Sequence, residues 1–202
     1  MKLYYSPGAC SLATNIVLRE AGLAFTPVLA STKTHKLEDG TDYYSLNPKG
    51  YVPLLELDDG QRLTECQVIL QYAGDRVPDK KLVAPWGSME RYRQLEWLSF
   101  ISSELHKTIG ALFNPALPSQ AREQFRTRGA SRLQWVNEQL QGKQFLMGDA
   151  YSVVDAYLFT VANWTKFHDI DISSLSNLGG FMARVAARPA VQEALKAEGL
   201  IK

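Results

Sequence analysis

The sequence predicts an α/β domain followed by an all-α domain. Three observations carry that prediction. Over residues 1–78, short aromatic and apolar runs alternate with stretches of helical period. Residues 79–87 hold Asp79, Lys80, Lys81, Pro85 and Gly87, a composition that suits a linker. From residue 88 to 202 the apolar positions keep helical spacing throughout.

Taken in order, Leu3-Tyr4-Tyr5 is a short strand stopped by Ser6-Pro7-Gly8. Leu12, Ile16, Val17 and Leu18 then fall near helical spacing, and Gly22 suits the residue just past a helix end. Residues 25–29 form a second strand, so the opening is a strand–helix–strand unit with a parallel pair and a right-handed crossover. Asn47-Pro48-Lys49-Gly50 is dense in turn residues, and residues 52–57 read as a strand. Asp58-Asp59-Gly60 is a hairpin signal leading into a return strand at 61–63. Val68, Ile69, Leu70, Tyr72 and Ala73 place a helix over 66–76.

In the second half, Tyr92, Leu95, Leu98, Ile101, Leu105, Ile109 and Leu112 predict one long amphipathic helix, ended by Asn114-Pro115 and Pro118. Phe125, Leu133, Val136 and Leu140 mark the next helix, and 153–167 another. Two shorter helices are expected around 181–187 and after Pro189. Ser152-Val153-Val154-Asp155 fits a capping box, with Asp155 in place of the usual glutamate.

Composition narrows the function classes. The 202 residues are 46% hydrophobic and 21% charged with a net charge of +1, which advertises neither nucleic acid nor an acidic tail. No apolar run approaches the roughly 20 residues of a membrane span, and no signal-peptide core opens the chain. Cys10 and Cys66 are the only cysteines, so a disulfide framework is not expected and a reducing, cytoplasmic setting is. The scattered histidines and cysteines show no metal-ligand spacing, and His168 has no partner pattern.

Three motifs carry chemistry. In Ser6-Pro7-Gly8-Ala9-Cys10-Ser11, a strand end and a turn place Cys10 at or beside a helix N-terminus. Unpaired N–H groups and the helix dipole favour a thiolate there, lowering a cysteine pKa from about 8.5 to between roughly 3.5 and 7.5. Many cysteines are small buried hydrophobes, but this location favours the reactive role. Residue 13 is alanine, so the second thiol of a local dithiol motif is absent. In Gly50-Tyr51-Val52-Pro53, a cis bond before Pro53 would fix the backbone and let Val52 pair with an extended peptide ligand; alternatively Pro53 only starts an edge strand. In Leu63-Thr64-Glu65-Cys66, free N–H groups at a helix start can hold a carboxylate while Glu65 pairs with an ammonium. Such a site fits the amino-acid end of a γ-glutamyl group; the alternative is ordinary capping by Thr64 or Glu65. On the long helix, Ser99, Ser102, Ser103, His106 and Gly110 recur at +3, +4, +7 and +11, a small polar stripe with an imidazole that suits a cleft wall.

These elements in this order resemble the glutathione S-transferases, and the bacterial beta class in particular, along nearly the whole chain. The resemblance rests on Tyr4-Tyr5-Ser-Pro-Gly-Ala-Cys10-Ser11, Asn47-Pro-Lys-Gly-Tyr-Val-Pro53, Leu63-Thr-Glu65, Ser103-Glu-Leu-His106-Lys107, Asp155-Ala-Tyr-Leu-Phe-Thr160 and Ala197-Glu-Gly-Leu-Ile-Lys202. It implies a thioredoxin-like N-terminal domain over 1–78, a linker over 79–87 and an all-helical C-terminal domain over 88–202, assembled as a homodimer. It implies glutathione as co-substrate, with no other cofactor and no metal, and detoxification of a hydrophobic electrophilic small molecule. Neither a nucleic acid nor a membrane is an expected partner.

Carried over by residue, Cys10 contacts the glutathione sulfur, and the Val52–Pro53 backbone pairs with the cysteinyl unit. Glu65 and the backbone of Cys66 hold the γ-glutamyl end. His106, with Glu104 and Lys107 beside it, approaches the sulfur, and Ser99 and Ser103 face the cleft. A histidine near pKa 6.5 takes or shares the thiol proton at neutral pH. The class usually has lysine at position 35; here it is His35, flanked by Lys33 and Lys36, and any of the three is a candidate for the glycine end. Cys66 stands where serine or glycine is frequent, and Ser99 where asparagine is. Phe113, Trp164 and Phe167 are candidate walls of an acceptor pocket, with packed core as the alternative. Conjugation is the leading expectation. Glutathione-dependent thiol–disulfide chemistry or dehalogenation through Cys10, and a non-catalytic binding protein, are the alternatives.

Overall fold

The computed structural model describes residues 1–202, which divide into two compact units. One holds Met1–Leu82 together with Pro189–Lys202, and the other holds Val83–Arg188.

The first unit is built on β1 (Lys2–Tyr5), α1 (Ser11–Ala21), β2 (Thr26–Leu29), β3 (Leu54–Glu56), β4 (Arg62–Leu63) and α2 (Cys66–Asp75). The sheet order is β2-β1-β3-β4, with β1 and β2 parallel, as the strand–helix–strand pattern requires, and the other pairs antiparallel. Tyr4 lies opposite Leu54 and Leu3 opposite Leu55. Strand side chains alternate between faces, so each pair serves a different side of the sheet. Tyr4 and Leu54 join Ala30, Tyr43 and Val52 in one buried cluster. Leu3 and Leu55 point the other way, where Ile16, Ile69 and Leu70 of the two helices are also fully buried. Gly22 ends α1 in the left-handed region (φ 69°), and Leu23 N–H reaches back to the Leu18 carbonyl at 3.0 Å, a Schellman-type stop. The hairpin turn also forms as expected, with Gly60 at φ 83° and its N–H on the Leu57 carbonyl at 3.0 Å.

The terminal helix α8 (Pro189–Ala197) corrects the expected boundary. It was expected with the helical domain, yet it packs on α1 in the first unit. The reason lies in α1, whose residues from Ser11 to Leu18 are all buried. A helix buried all round needs cover on the side away from the sheet. Val191 and Ala194 of α8 are buried, and Glu198 just beyond it accepts hydrogen bonds from Asn15 Nδ2 (3.0 Å) and Gly8 N–H (2.9 Å).

The second unit begins inside the expected linker. That stretch is not loose: Leu82 and Val83 are buried, and Ala84 is tied to the next helix, α3 (Met89–Phe100). Ala84 N–H donates to Gln94 Oε1 at 2.8 Å, Arg91 Nη1 donates to the Ala84 carbonyl at 3.2 Å, and the Arg91 guanidinium lies 4.1 Å from the Trp86 ring centroid. Composition reports local helix breakers; it carries no information on these longer-range anchors.

The single long helix expected through Leu112 is instead a continuous run of three helix types. After α3 come a π-helical segment Ile101–His106, a short α4 (Lys107–Gly110) and a 3-10 turn Ala111–Phe113. A π segment widens the turn and shifts the helical register, so the stripe of small residues is not one straight row. The remaining helices are α5 (Ser119–Gln139), α6 (Val153–Asn163) with a 3-10 turn Trp164–Phe167, and α7 (Ser176–Ala186). Residues Val153 to Ala162 are all buried, which makes α6 the centre of the unit. Its capping box forms, with Ser152 N–H donating to Asp155 Oδ2 at 2.8 Å and Leu146 N–H to Oδ1 at 2.9 Å. No helix is long and apolar enough to cross a membrane.

Candidate functional site

Cys10 is the N-cap residue of α1. The approach to it is a tight turn: Gly8 takes φ 70°, Ala9 N–H donates to the Ser6 carbonyl at 3.0 Å, and the Ser11 hydroxyl bonds both the N–H and the carbonyl of Ser6 at 3.2 Å. The half-buried thiol donates to the Val52 carbonyl at 3.2 Å. The Val52–Pro53 bond is cis, as the sequence suggested. The preceding carbonyl, that of Tyr51, accepts from Tyr43 Oη at 2.9 Å and from Asn47 Nδ2 at 2.7 Å, which anchors this loop. A thiolate at the end of an 11-residue helix lies where the dipole and open N–H groups stabilise it.

The second helix start is adjacent. Glu65 caps α2 with φ 67° and ψ 113°, a left-handed conformation that costs a non-glycine residue about 1–3 kcal/mol. Its carbonyl receives the N–H groups of Val68 (3.0 Å) and Ile69 (3.1 Å). Its carboxylate is held by Lys49 Nζ at 2.7 Å, which also reaches Thr64 Oγ1 at 2.8 Å. Cys66 turns inward: only 4% of it is exposed, its Sγ donates to the Cys10 carbonyl at 3.4 Å, and Thr14 Oγ1 is 4.0 Å away. Burial, and secondarily the neighbouring Cys10, push the Cys66 thiol well above the usual cysteine pKa.

His35 has φ 52° and a ring 4.5 Å from that of Tyr44, with its Nδ1 buried and without a hydrogen-bond partner. Gly50 makes this stacking feasible. A Cβ there would stand 2.6 Å from Tyr44 Cε1 and 3.1 Å from His35 Nδ1, and its φ of 69° already favours glycine. Lys33 and Lys36 are both exposed. The first unit therefore gathers Cys10, Val52, Pro53, Glu65 and Cys66 around two helix starts, with His35 on the neighbouring loop.

In the second unit, His106 closes the π segment. Its Nδ1 lies 2.7 Å from Tyr157 Oη, and its ring meets Trp164 edge-on at 4.9 Å. Gly110 leaves room for both rings, since a Cβ would come within 3.3 Å of His106 Cδ2 and 3.5 Å of Trp164 Cζ3. Ser99, Ser103 and Lys107 are exposed, and Ser103 Oγ donates to the Ser99 carbonyl at 2.9 Å. Glu104 is already engaged: Arg128 (2.9 Å) and Arg132 (2.8 Å) of α5 bind its carboxylate and hold its pKa below the usual range. Of the three aromatic candidates, Trp164 is buried at 4% exposure, whereas Phe113 (51%) and Phe167 (70%) are open. Phe113 packs edge-on against His168 at 4.2 Å, which gives that unassigned histidine a place behind an exposed ring.

Sequence reasoning did not single out Lys49 or Tyr157. Lys49 stood inside a turn motif with nothing to mark its distant partner. Tyr157 lay within the Asp155–Thr160 match, where its position facing His106 had no local signature.

Comparison with known proteins matches the chain to two family models, "Glutathione S-transferase, N-terminal domain" over residues 8–76 and "Glutathione S-transferase, C-terminal domain" over residues 100–189. A curated relative, glutathione S-transferase GstA of Escherichia coli O157:H7, is 47% identical over 200 residues, covering 99% of this chain and 100% of GstA. The solved structure of a sphingomonad glutathione S-transferase complexed with glutathione superposes with a TM-score of 0.95 at 42% identity, covering both chains completely. A bacterial beta class glutathione S-transferase of Sphingomonas chungbukensis superposes with a TM-score of 0.96 at 44% identity, again over the whole of both chains.

Proposed function

The chain belongs to the glutathione S-transferase family, in its bacterial beta class, and is a glutathione transferase; from that premise we propose how its residues divide the task. The carrying observation is Cys10 at the cap of α1 with its thiol on the Val52 carbonyl, beside the start of α2. Glutathione lies along the Val52–Pro53 backbone as an added strand, with its sulfur at Cys10. The N–H groups at Glu65 and Cys66 take the γ-glutamyl carboxylate. The Glu65 carboxylate takes the ammonium, exchanging Lys49 for the ligand. His35, with Lys33 or Lys36, receives the glycine carboxylate.

His106 takes or shares the thiol proton, oriented by Tyr157. Ser99, Ser103, Glu104 and Lys107 are the accompanying candidates in the second unit. The resulting thiolate attacks the electrophilic carbon of a hydrophobic acceptor, forming a C–S bond as a leaving group departs or a conjugated double bond accepts the electron pair. Phe113 and Phe167, open to solvent, are suited to contact that acceptor. The physiological setting is detoxification in the cytoplasm by a homodimer.

The test is steady-state conjugation of glutathione to an aryl halide. Glu65→Gln removes a charge-assisted pair worth about 1.5–3 kcal/mol, so KM for glutathione should rise about tenfold or more while kcat changes little. Lys49→Ala controls for loss of the Lys49–Glu65 bridge. An unchanged KM in Glu65→Gln would remove Glu65 from the binding site.

A further inference from the structure

We infer that Cys66 is a resolving thiol for Cys10, so that the protein carries out intramolecular dithiol–disulfide exchange with glutathione disulfide in addition to conjugation. The proposal rests on glutathione binding at Cys10. Residue 13 lacks the second sulfur of a local dithiol motif, but the fold supplies one from another helix. Cys10 caps α1, Cys66 opens α2, and the Cys66 sulfur sits 3.4 Å from the Cys10 carbonyl oxygen. Neither cysteine is disulfide-bonded.

Their environments differ in the way a two-step exchange needs. Cys10 is partly exposed and Cys66 is buried, so an external disulfide meets Cys10 first. Burial raises the Cys66 pKa and keeps the thiol protonated, which protects it from direct oxidation and leaves the first attack to Cys10.

The Cys10 thiolate attacks one sulfur of glutathione disulfide, forming a Cys10–glutathione mixed disulfide and releasing one glutathione thiolate, which takes up a proton. Cys66 then attacks the Cys10 sulfur, releasing the second glutathione thiolate, which takes the Cys66 proton. Overall two protein thiols are oxidised to one disulfide, and one glutathione disulfide is reduced to two glutathione molecules. Closing the bond requires the Cys10 side chain to turn off the Val52 carbonyl toward α2, within the specific geometry a disulfide demands. Excess glutathione reverses both steps. Oxidation therefore withdraws the Cys10 thiol reversibly and shields it from irreversible oxidation.

The experiment treats the reduced full-length protein with glutathione disulfide, quenches with acid, and measures intact mass and non-reducing peptide maps. Wild type is expected to lose two hydrogens and yield a peptide pair joined through residues 10 and 66. Cys66→Ser and Cys66→Ala, folded by circular dichroism, should instead retain one glutathionyl group on Cys10, and Cys10→Ala should acquire neither product. If wild type stops at the glutathionyl adduct to the same extent as the Cys66 variants, or does not react, the proposal is overturned. Conjugation activity measured on the same preparation separates the two readings. An active transferase without the internal disulfide refutes only the resolving role, whereas loss of both glutathione binding and conjugation refutes the underlying reading.

Discussion

Replacing Glu198 tests the architecture of the thiol loop from the far end of the chain. Its buried carboxylate accepts from Gly8 N–H at 2.9 Å and from Asn15 Nδ2 at 3.0 Å. Glu198→Ala leaves both donors without their acceptor, and each such loss costs about 1–3 kcal/mol. Part of that cost is offset, because burial disfavours the carboxylate and raises its pKa, so relieving it returns some free energy. The net expectation is about 2–3 kcal/mol, or a fall in Tm of about 4–12 °C for a chain of this size.

Glu198→Gln refines the argument. Asn15 cannot flip to suit an amide partner, since its Oδ1 already accepts from Arg19 Nε at 2.9 Å. A glutamine can therefore satisfy only one of the two donors, and its loss should be about half that of alanine. Thermal melts of both variants at neutral pH decide the matter. A Tm for Glu198→Ala within about 1 °C of wild type, or equal losses for alanine and glutamine, would refute the two-bond reasoning.

Three further outcomes follow from the geometry. Tyr157→Phe removes the hydroxyl 2.7 Å from His106 Nδ1. Losing about 1 kcal/mol of orientation should lower kcat about fivefold, with glutathione KM little changed. Gly50→Ala forces a side chain into a φ of 69° and against Tyr44 and His35. It should cost about 1–3 kcal/mol by thermal melt and raise KM for glutathione. Asp155, with its pKa raised to about 6 by burial, binds protons in the folded state that the unfolded chain has released. Its contribution to stability is complete below the unfolded value of about 3.9 and is lost as pH rises through about 6, a change of about 3 kcal/mol. Urea midpoints from pH 4 to 7 should show that decline in wild type and a flatter profile in Asp155→Asn.

What was legible in the sequence was local. Helix starts at Cys10 and Cys66, the stop at Gly22 and the turn at Gly60 each depend on a few adjacent residues, and each formed as expected. What was not legible joins distant residues. Glu198 meets Gly8 across 190 positions, Lys49 meets Glu65 across 16, and the π segment that presents His106 has no counterpart in the apolar spacing of its run.

Strand register is the link between the two classes of feature. Leu3 opposite Leu55 and Tyr4 opposite Leu54 place each apolar side chain on its proper face, and a slip of one residue would turn every one of them over. Antiparallel pairing pins more than the core. With Tyr4 opposite Leu54, continuing the ladder past the strand end brings Val52 beside Ser6, the first residue of the turn that carries Cys10. The hydrogen bond from the Cys10 thiol to the Val52 carbonyl is therefore a consequence of burying Leu3 and Leu55. A substitution that weakens this apolar pair should disturb the thiol environment even though neither side chain faces it.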